Sequence, residues 1–166
     1  GLGDVYKRQL IQCYMGWRPQ ELAILELANV DLENWCITGG MKTEAGRYRT
    51  VPIHPRIKEL VRNNYEQAVS LGSDRLFNDP DAVKGGMKIT YDKYAGRFDK
   101  VISALKLRDD HRPHDPRTTF ITMAKKAGVD EYVVKRLAGH KITDVTEAVY
   151  TKRDIEWLRE ELEKMP

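Results

Sequence analysis

The sequence predicts a mainly α-helical domain that carries one small antiparallel β-sheet, an α+β fold. The chain has 166 residues, of which 41% are hydrophobic and 32% charged, which is enough for one buried core. Most segments place apolar residues at helical spacing, and only two short runs are rich in β-branched and aromatic residues. We therefore interpret residues 1–166 as a single domain.

Two helices are expected before the sheet, over residues 6–14 and 19–27. Leu10 and Tyr14 follow helical spacing in the first. Pro19 suits the opening position of the second, because its fixed φ fits a first helical turn.

Two strands are expected over residues 35–38 and 48–53, where Trp, Ile, Thr, Tyr and Val are concentrated. Residues 44–46, Glu-Ala-Gly, favour a turn between them. The pair therefore predicts an antiparallel hairpin.

Beyond the hairpin the apolar spacing is helical again. The expected helices cover residues 55–69, 89–105, 115–127, 130–139, 143–150 and 154–166. In the second of these, the positions expected to face the core are Tyr94, Phe98, Val101, Ile102 and Leu105. Asp130 and Thr143 suit helix capping, because their side-chain oxygens accept bonds from free backbone N–H groups. Residues 71–87 predict a loop, with a short extended piece at Leu76 and Phe77.

The net charge of +3, from 28 Lys and Arg against 25 Asp and Glu, does not by itself indicate a nucleic-acid partner. Its distribution is uneven: residues 111–153 carry nine basic and five acidic side chains, and residues 154–166 carry two and five. Such an excess favours a surface that faces a polyanion, and a solvated helical face is an equal alternative.

Several classes of protein are excluded by composition. No apolar run approaches the roughly 20 residues that span a bilayer, and no secretory signal opens the chain. Cys13 and Cys36 form no CxxC motif and lie near no His pair at zinc-ligand spacing. We expect no membrane association, no metal and a reducing cytoplasmic location.

Arg18 and Glu21 form the first candidate site, at the start of a predicted helix. Glu21 lies close enough in sequence to orient the guanidinium of Arg18, although a surface ion pair is the alternative. His114 and Arg117 are also three residues apart, so both can face one ligand from a helix. An Arg fork matches two phosphate oxygens and a His can move a proton; an unremarkable helix start is the alternative.

His140 follows a predicted helix end, and Tyr150 comes ten residues later. A capping His and a half-buried packing Tyr are the structural alternatives. The hairpin adds Lys42, with Arg47 and Arg49 after its turn. Basic hairpins often bind a phosphate backbone, and an edge strand protected by lysine is the alternative.

Taken in order, these motifs resemble the tyrosine recombinase, or phage integrase, family. The order is Arg-x-x-Glu-Leu, a hairpin lysine, His-x-x-Arg, Gly-His and a later Tyr, and it spans residues 14–152. Within the family, the sequence motifs are most similar to those of integrases of phages and of integrative or conjugative elements. The resemblance implies a bacterial, phage-encoded or mobile-element-encoded enzyme.

The resemblance implies that the chain cleaves and rejoins double-stranded DNA without metal or cofactor, through a 3′-phosphotyrosine intermediate. The catalytic residues that it implies are Arg18, Lys42, His114, Arg117, His140 and Tyr150. In these roles Tyr150 is the nucleophile, the arginines hold the non-bridging phosphate oxygens, the histidines donate hydrogen bonds and Lys42 protonates the departing 5′ oxygen. Glu21 orients the arginines. The candidates for contact with the DNA backbone are Thr43, Arg47, Arg49 and Lys141.

The chain departs from the family pattern at three positions. Many relatives read His-Asp-Leu-Arg-His where this chain has Pro116 and Thr118, and Ala138 stands where Leu or Met is frequent. None of these changes removes a group to which the resemblance assigns catalysis.

The length implies a fragment, since relatives carry an N-terminal core-binding domain for which 166 residues leave no room. Residues 1–9 do not match the family and resemble a translated sequencing adapter, so we treat them as non-native. The helix over 154–166 either docks on its own domain or packs in trans on a neighbouring protomer. We expect a tetramer on DNA for the full-length protein and weak activity for the fragment alone.

Three other interpretations stay open. A type IB topoisomerase-like enzyme shares the catalytic core, and a decayed integrase could bind DNA without cleaving it. A metal-dependent nuclease is disfavoured, because the sequence holds no carboxylate cluster for a metal.

Overall fold

A computed structural model of the chain describes residues 2–41, 48–82, 87–142 and 155–166. Its helices are α1 (Leu2–Met15), α2 (Pro19–Ala23), α3 (Lys58–Ser70), α4 (Tyr91–Ala104), α5 (Asp115–Lys126), α6 (Glu131–Ala138) and α7 (Ile155–Leu162). Its strands are β1 (Val30–Asp31), β2 (Cys36–Gly39) and β3 (Arg49–Pro52). The predicted fold class, helical with a small antiparallel sheet, is confirmed.

The sheet has the order β1-β2-β3, and both neighbouring pairs are antiparallel. Val30, Ile37 and Val51 are in register across the three strands, and all three are buried on the core side. The sequence did not predict β1, because a two-residue strand leaves no alternating pattern.

The core lies where α1, α5, α6 and β3 meet. Helix α1 packs on α5 and α4, and β3 contacts both α6 and α7. Ile11, Met15, Phe120 and Val133 are fully buried there. This packing places the start of α5 and the end of α6 beside the turn that links α1 to α2.

Helix α2 is shorter than predicted and ends at Ala23. The chain then pairs with the extended piece at Leu76, whose N–H donates to the carbonyl of Leu25 at 3.0 Å. The N–H of Leu27 donates in the same way to the carbonyl of Asp74 at 2.9 Å. Pairing with a distant segment therefore overrides the local helical pattern.

Leu105 was predicted to face the core, and this prediction is wrong. Helix α4 ends at Ala104, and Leu105 is 63% exposed. Lys106 follows with a φ of 53°, a left-handed conformation that turns the chain out of the helix.

In the single chain described, the C-terminal helix docks on its own domain, and packing in trans on a neighbouring protomer stays a prediction. Leu158 and Leu162 of α7 are buried in the main core. Glu161 accepts a bond from the backbone N–H of Asp130 at 2.8 Å, and Arg159 donates to the carbonyl of Trp35 at 3.0 Å.

Two sequence predictions lie outside the described residues: the turn at 44–46 and the helix over 143–150. Across the described ranges, every helix is too short or too polar to cross a membrane.

Candidate active site

Arg18 precedes helix α2 and is held by Glu21 three residues later. The backbone N–H of Arg18 donates to one carboxylate oxygen of Glu21 at 2.9 Å, and its Nη1 donates to the other at 3.1 Å. The first bond is the glutamate half of a capping box. The side chain of Arg18 stays 21% exposed, so its guanidinium is fixed at one edge and open to solvent.

Glu21 is fully buried and binds a second arginine, Arg49, through two bonds. Nη1 of Arg49 lies 2.9 Å from Oε1 and Nη2 lies 2.6 Å from Oε2. Burial raises the pKa of Glu21, but the bonds and charges of Arg49 and Arg18 outweigh it and hold that pKa below its ordinary value. Glu21 therefore carries a negative charge between two arginines.

The prediction that Arg49 contacts the DNA backbone is wrong. Its side chain is completely buried, and all three guanidinium nitrogens bond to Glu21 or to the carbonyl of Leu137. A side chain enclosed in this way cannot reach a phosphate at the surface. Basic residues of a hairpin are usually exposed, and the sequence carries no sign that this one faces inward.

Arg117 lies in the first turn of α5 and is almost fully buried. Its Nη1 donates to the carbonyl of Gly16 at 2.9 Å, which ties α5 to the α1–α2 turn. Burial lowers the pKa of Arg117 to about 10, and the positive charge of Arg18 acts in the same direction. The two arginines therefore lie close enough to repel each other.

His114 occupies the capping position of α5, and its ring is exposed. Its carbonyl accepts from the N–H of Arg117 at 3.1 Å. Although solvent reaches the ring, partial burial lowers the pKa of His114, with further lowering from Arg117 and then Arg18. The charge of Arg117 therefore lies near enough to act on the ring of His114, and the prediction that both face one ligand stays a prediction.

His140 follows α6 and is placed by the glycine before it. Gly139 has a φ of 70°, so it ends the helix in the left-handed conformation that glycine adopts without strain. The N–H of His140 then bonds back to the carbonyl of Lys135 at 2.9 Å. Partial burial lowers the pKa of His140, followed by the charges of Arg117 and Arg18. Lys141, a DNA-backbone candidate, is exposed.

The charges of Arg18 and Arg117 act on both His114 and His140, and Glu21 binds Arg18, so these five residues lie in one part of the molecule. The other candidates, Lys42, Thr43, Arg47 and Tyr150, lie outside the described residues.

Sequence reasoning missed the part played by Gly16 and Trp17. The carbonyl of Gly16 fixes Arg117, and the ring of Trp17 lies 4.4 Å from the guanidinium carbon of Arg49. Both residues directly precede Arg18, so three consecutive residues meet three different partners. A glycine ahead of Trp-Arg-Pro was the one available signal for such a turn.

Metal-ligating side chains are not clustered in the described part of the chain. In residues 2–41, 48–82, 87–142 and 155–166, no group of three or more His, Cys, Asp or Glu side chains could hold a metal ion.

The chain matches the model of the phage integrase family over residues 6–156. Tyrosine recombinase XerA of Saccharolobus solfataricus is 29% identical over 146 residues, which cover 88% of this chain and 45% of that protein.

Solved structures share the fold. The integrase from mycobacterium phage Brujita superposes with a TM-score of 0.70 at 21% identity, covering 98% of this chain and 52% of the other. The Tn1549 transposon integrase in complex with circular intermediate DNA gives 0.69 at 20% identity, covering 96% and 57%. XerH site-specific recombinase bound to difH substrate gives 0.61 at 25% identity, covering 94% and 45%.

The chain spans about half the length of the relatives that it matches. The family match, by contrast, covers nearly the whole of this chain and includes each of the six predicted catalytic positions. The chain therefore belongs to the phage integrase family.

Proposed function

We propose that this chain is the catalytic domain of a site-specific DNA recombinase, which breaks and rejoins strands through a bond between Tyr150 and a 3′ phosphate. The observation that carries the proposal is the cluster of Arg18, Arg117, His114 and His140. Both arginines are fixed from behind, by Glu21 and by the carbonyl of Gly16. Fixed donors of this kind stabilise the charge that develops on a phosphate in the transition state, because they need no reorganisation.

In the proposed step the Tyr150 oxygen attacks phosphorus and the bond from phosphorus to the 5′ oxygen breaks. The tyrosine proton passes to His114, and Lys42 gives a proton to the departing oxygen. The reverse reaction, with a 5′ hydroxyl as nucleophile, rejoins the strands. A free phenol has a pKa of about 10, so the step depends on a nearby base and on the cationic cluster. The phosphotyrosine bond keeps the energy of the broken ester, and no nucleotide is needed.

The proposed partner is a double-stranded DNA attachment site. The Tn1549 integrase is described in complex with circular intermediate DNA, and XerH as bound to its difH substrate. We extend this partner to the present chain on the strength of the family match. A homotetramer on DNA, in the cytoplasm of a bacterial host, is part of the same proposal for the full-length protein.

The test uses negatively supercoiled plasmid DNA in EDTA, because relaxation reports strand breakage and rejoining without knowledge of the attachment sequence. Adducts are trapped with SDS and detected as protein that stays bound to DNA. We expect slow relaxation and a trapped adduct from the unaltered chain, and neither from Tyr150→Phe. Tyr6→Phe is the matched control, since Tyr6 is an exposed tyrosine of α1.

Three results would contradict the proposal. Adduct formation by Tyr150→Phe would remove Tyr150 from its role. Dependence on added Mg²⁺ would favour a nuclease. A further version of the chain is joined to an N-terminal core-binding domain and given its own DNA site. If it binds that DNA without forming an adduct, the chain is a non-catalytic remnant.

A further inference from the structure

Arg49 lies in β3 with its side chain fully buried. Its contacts join two parts of the candidate site, which we call limbs: the first runs through Glu21 to Arg18, and the second through Leu137 to His140. On one side Nη1 and Nη2 bind the carboxylate of Glu21, at 2.9 and 2.6 Å. On the other side Nε donates to the carbonyl of Leu137 at 2.8 Å. A buried cation with this set of partners is a junction between elements that are distant in sequence.

The first limb leads to Arg18. Glu21 uses the same two oxygens to hold Arg49 and to accept the backbone N–H and Nη1 of Arg18. The N–H of Met41, at the edge of the hairpin, also donates to Glu21 at 3.3 Å. The position of the Arg18 guanidinium therefore depends on where Arg49 holds the carboxylate.

The second limb leads to His140. Leu137 is in the last turn of α6, where carbonyl groups have no partner within the helix. The Nε–H of Arg49 bonds to one of these carbonyls, and its positive charge faces the negative end of the helix dipole. His140 follows three residues later, after the turn at Gly139.

We infer that Arg49 is a positioning residue, which sets Arg18 and His140 relative to each other so that both can contact one phosphate. In this role Arg49 acts through Glu21 and the carbonyl of Leu137, which it binds directly. This inference rests on the proposed function, because it takes phosphate as the group on which the two limbs converge.

The geometry requires arginine at this position. A guanidinium carries its donors in a rigid planar fork, so one side chain can bind Glu21 and Leu137 at once while its face packs on Trp17 at 4.4 Å. A lysine keeps the charge but has one nitrogen on a flexible stem. Arg49→Lys therefore removes the geometry and keeps the charge.

The primary experiment measures binding of inorganic phosphate to the 166-residue chain by NMR, from the imidazole shifts of His114 and His140. We expect Arg49→Lys to weaken phosphate binding by about 10-fold to 100-fold, the range found for residues that orient metal ligands from behind. Arg62→Lys is the matched control and should bind phosphate like the unaltered chain, because Arg62 pairs with Glu59 on the exposed surface of α3. If Arg49→Lys does not fold, Arg49→Gln takes its place, since its amide can still donate one bond.

Three outcomes would overturn the inference. Unchanged phosphate binding in folded Arg49→Lys, with only a lower urea midpoint, would leave a purely structural role. Normal binding by Arg49→Lys but weak binding by Arg49→Gln would show that charge matters and geometry does not. A salt dependence of plasmid DNA binding that falls by about one ion in Arg49→Gln, which removes the charge, would mean a direct phosphate contact. If Arg49→Lys loses phosphate affinity while the unaltered chain forms no adduct, the positioning role holds and the recombinase proposal fails.

Discussion

Replacing Gly16 with alanine should destabilise the protein more than the same change at any other glycine whose surroundings are described. Gly16 has a φ of +73°, a left-handed conformation that penalises an L side chain by about 1–2 kcal/mol. A Cβ at this position would also lie 2.6 Å from the ring of Phe120. Phe120 is fully buried, and overpacking of this kind costs about 1–3 kcal/mol. We therefore expect Gly16→Ala to lower the free energy of unfolding by about 2–5 kcal/mol.

Equilibrium unfolding in urea at constant temperature measures this loss, and two other glycines separate its two causes. Gly72 has a φ of +64° with open space around its Cβ position, so Gly72→Ala should lose only about 1–2 kcal/mol. Gly96 lies within α4 in open space, and Gly96→Ala should gain up to about 1 kcal/mol from helix propensity. Equal losses for Gly16→Ala and Gly72→Ala would refute the argument, because the clash with Phe120 would then cost nothing.

The same substitution should also affect the site. The carbonyl of Gly16 accepts the bond that fixes Arg117, and Phe120 lies on the same helix as Arg117. Relief of the clash must move α5 or the turn. We expect weaker phosphate binding by Gly16→Ala under conditions where it is fully folded, whereas Gly72→Ala should bind phosphate normally.

Three further predictions concern stability. Arg8→Leu should raise the urea midpoint. Within the described ranges, Nε and Nη1 of Arg8 are buried without a hydrogen-bond partner, and each such donor costs about 1–3 kcal/mol. An unchanged or lower midpoint would contradict this prediction. The pKa values of His114 and His140 lie below the ordinary value, so the unfolded chain binds more protons, and stability should fall as pH drops below about 6.5. Thermal melts between about pH 5 and pH 7.5 should show this loss, and a double variant with Asn at both positions should lose less. If α7 docks on its own chain in solution, Leu162→Ala should lower the free energy of unfolding by about 2–5 kcal/mol. A loss that depends on protein concentration would instead indicate docking between copies.

The sequence predicted the helices well where apolar spacing and end signals agreed. Helix α6 begins after Asp130, whose side chain accepts from the N–H of Tyr132 at 2.9 Å, and it ends at a left-handed Gly139. Both ends were predicted from residue type, because capping is a local property. The end of α2 was not predicted, since it depends on pairing between Leu25 and Leu76, which are distant in sequence.

The order of short motifs predicted which residues form the candidate site, and it said little of their geometry. Their catalytic roles stay a prediction, although the charges of Arg18 and Arg117 act on both His114 and His140 in the structure. Their burial could not be foreseen: Arg117 is enclosed while Arg18 keeps a fifth of its side chain exposed. The sequence does not show whether a charged side chain faces solvent or the core. For this reason Arg49 was placed on the wrong side of the hairpin.

The buried arginines explain how a chain with a net charge of only +3 can hold a strongly cationic site. Glu21 neutralises one charge, yet Arg18, Arg49 and Arg117 all act on its surroundings, and the pKa values of Arg117, His114 and His140 are lowered by burial and by these cations. Burial is the larger cause of these lowered pKa values, and the neighbouring like charges lower them further. An anion placed among them removes that repulsion and gains hydrogen bonds from donors that are already oriented. Binding of a phosphate should therefore raise the pKa of both histidines and stabilise the folded chain, so the repulsion in the free site favours the ligand that the site is proposed to take.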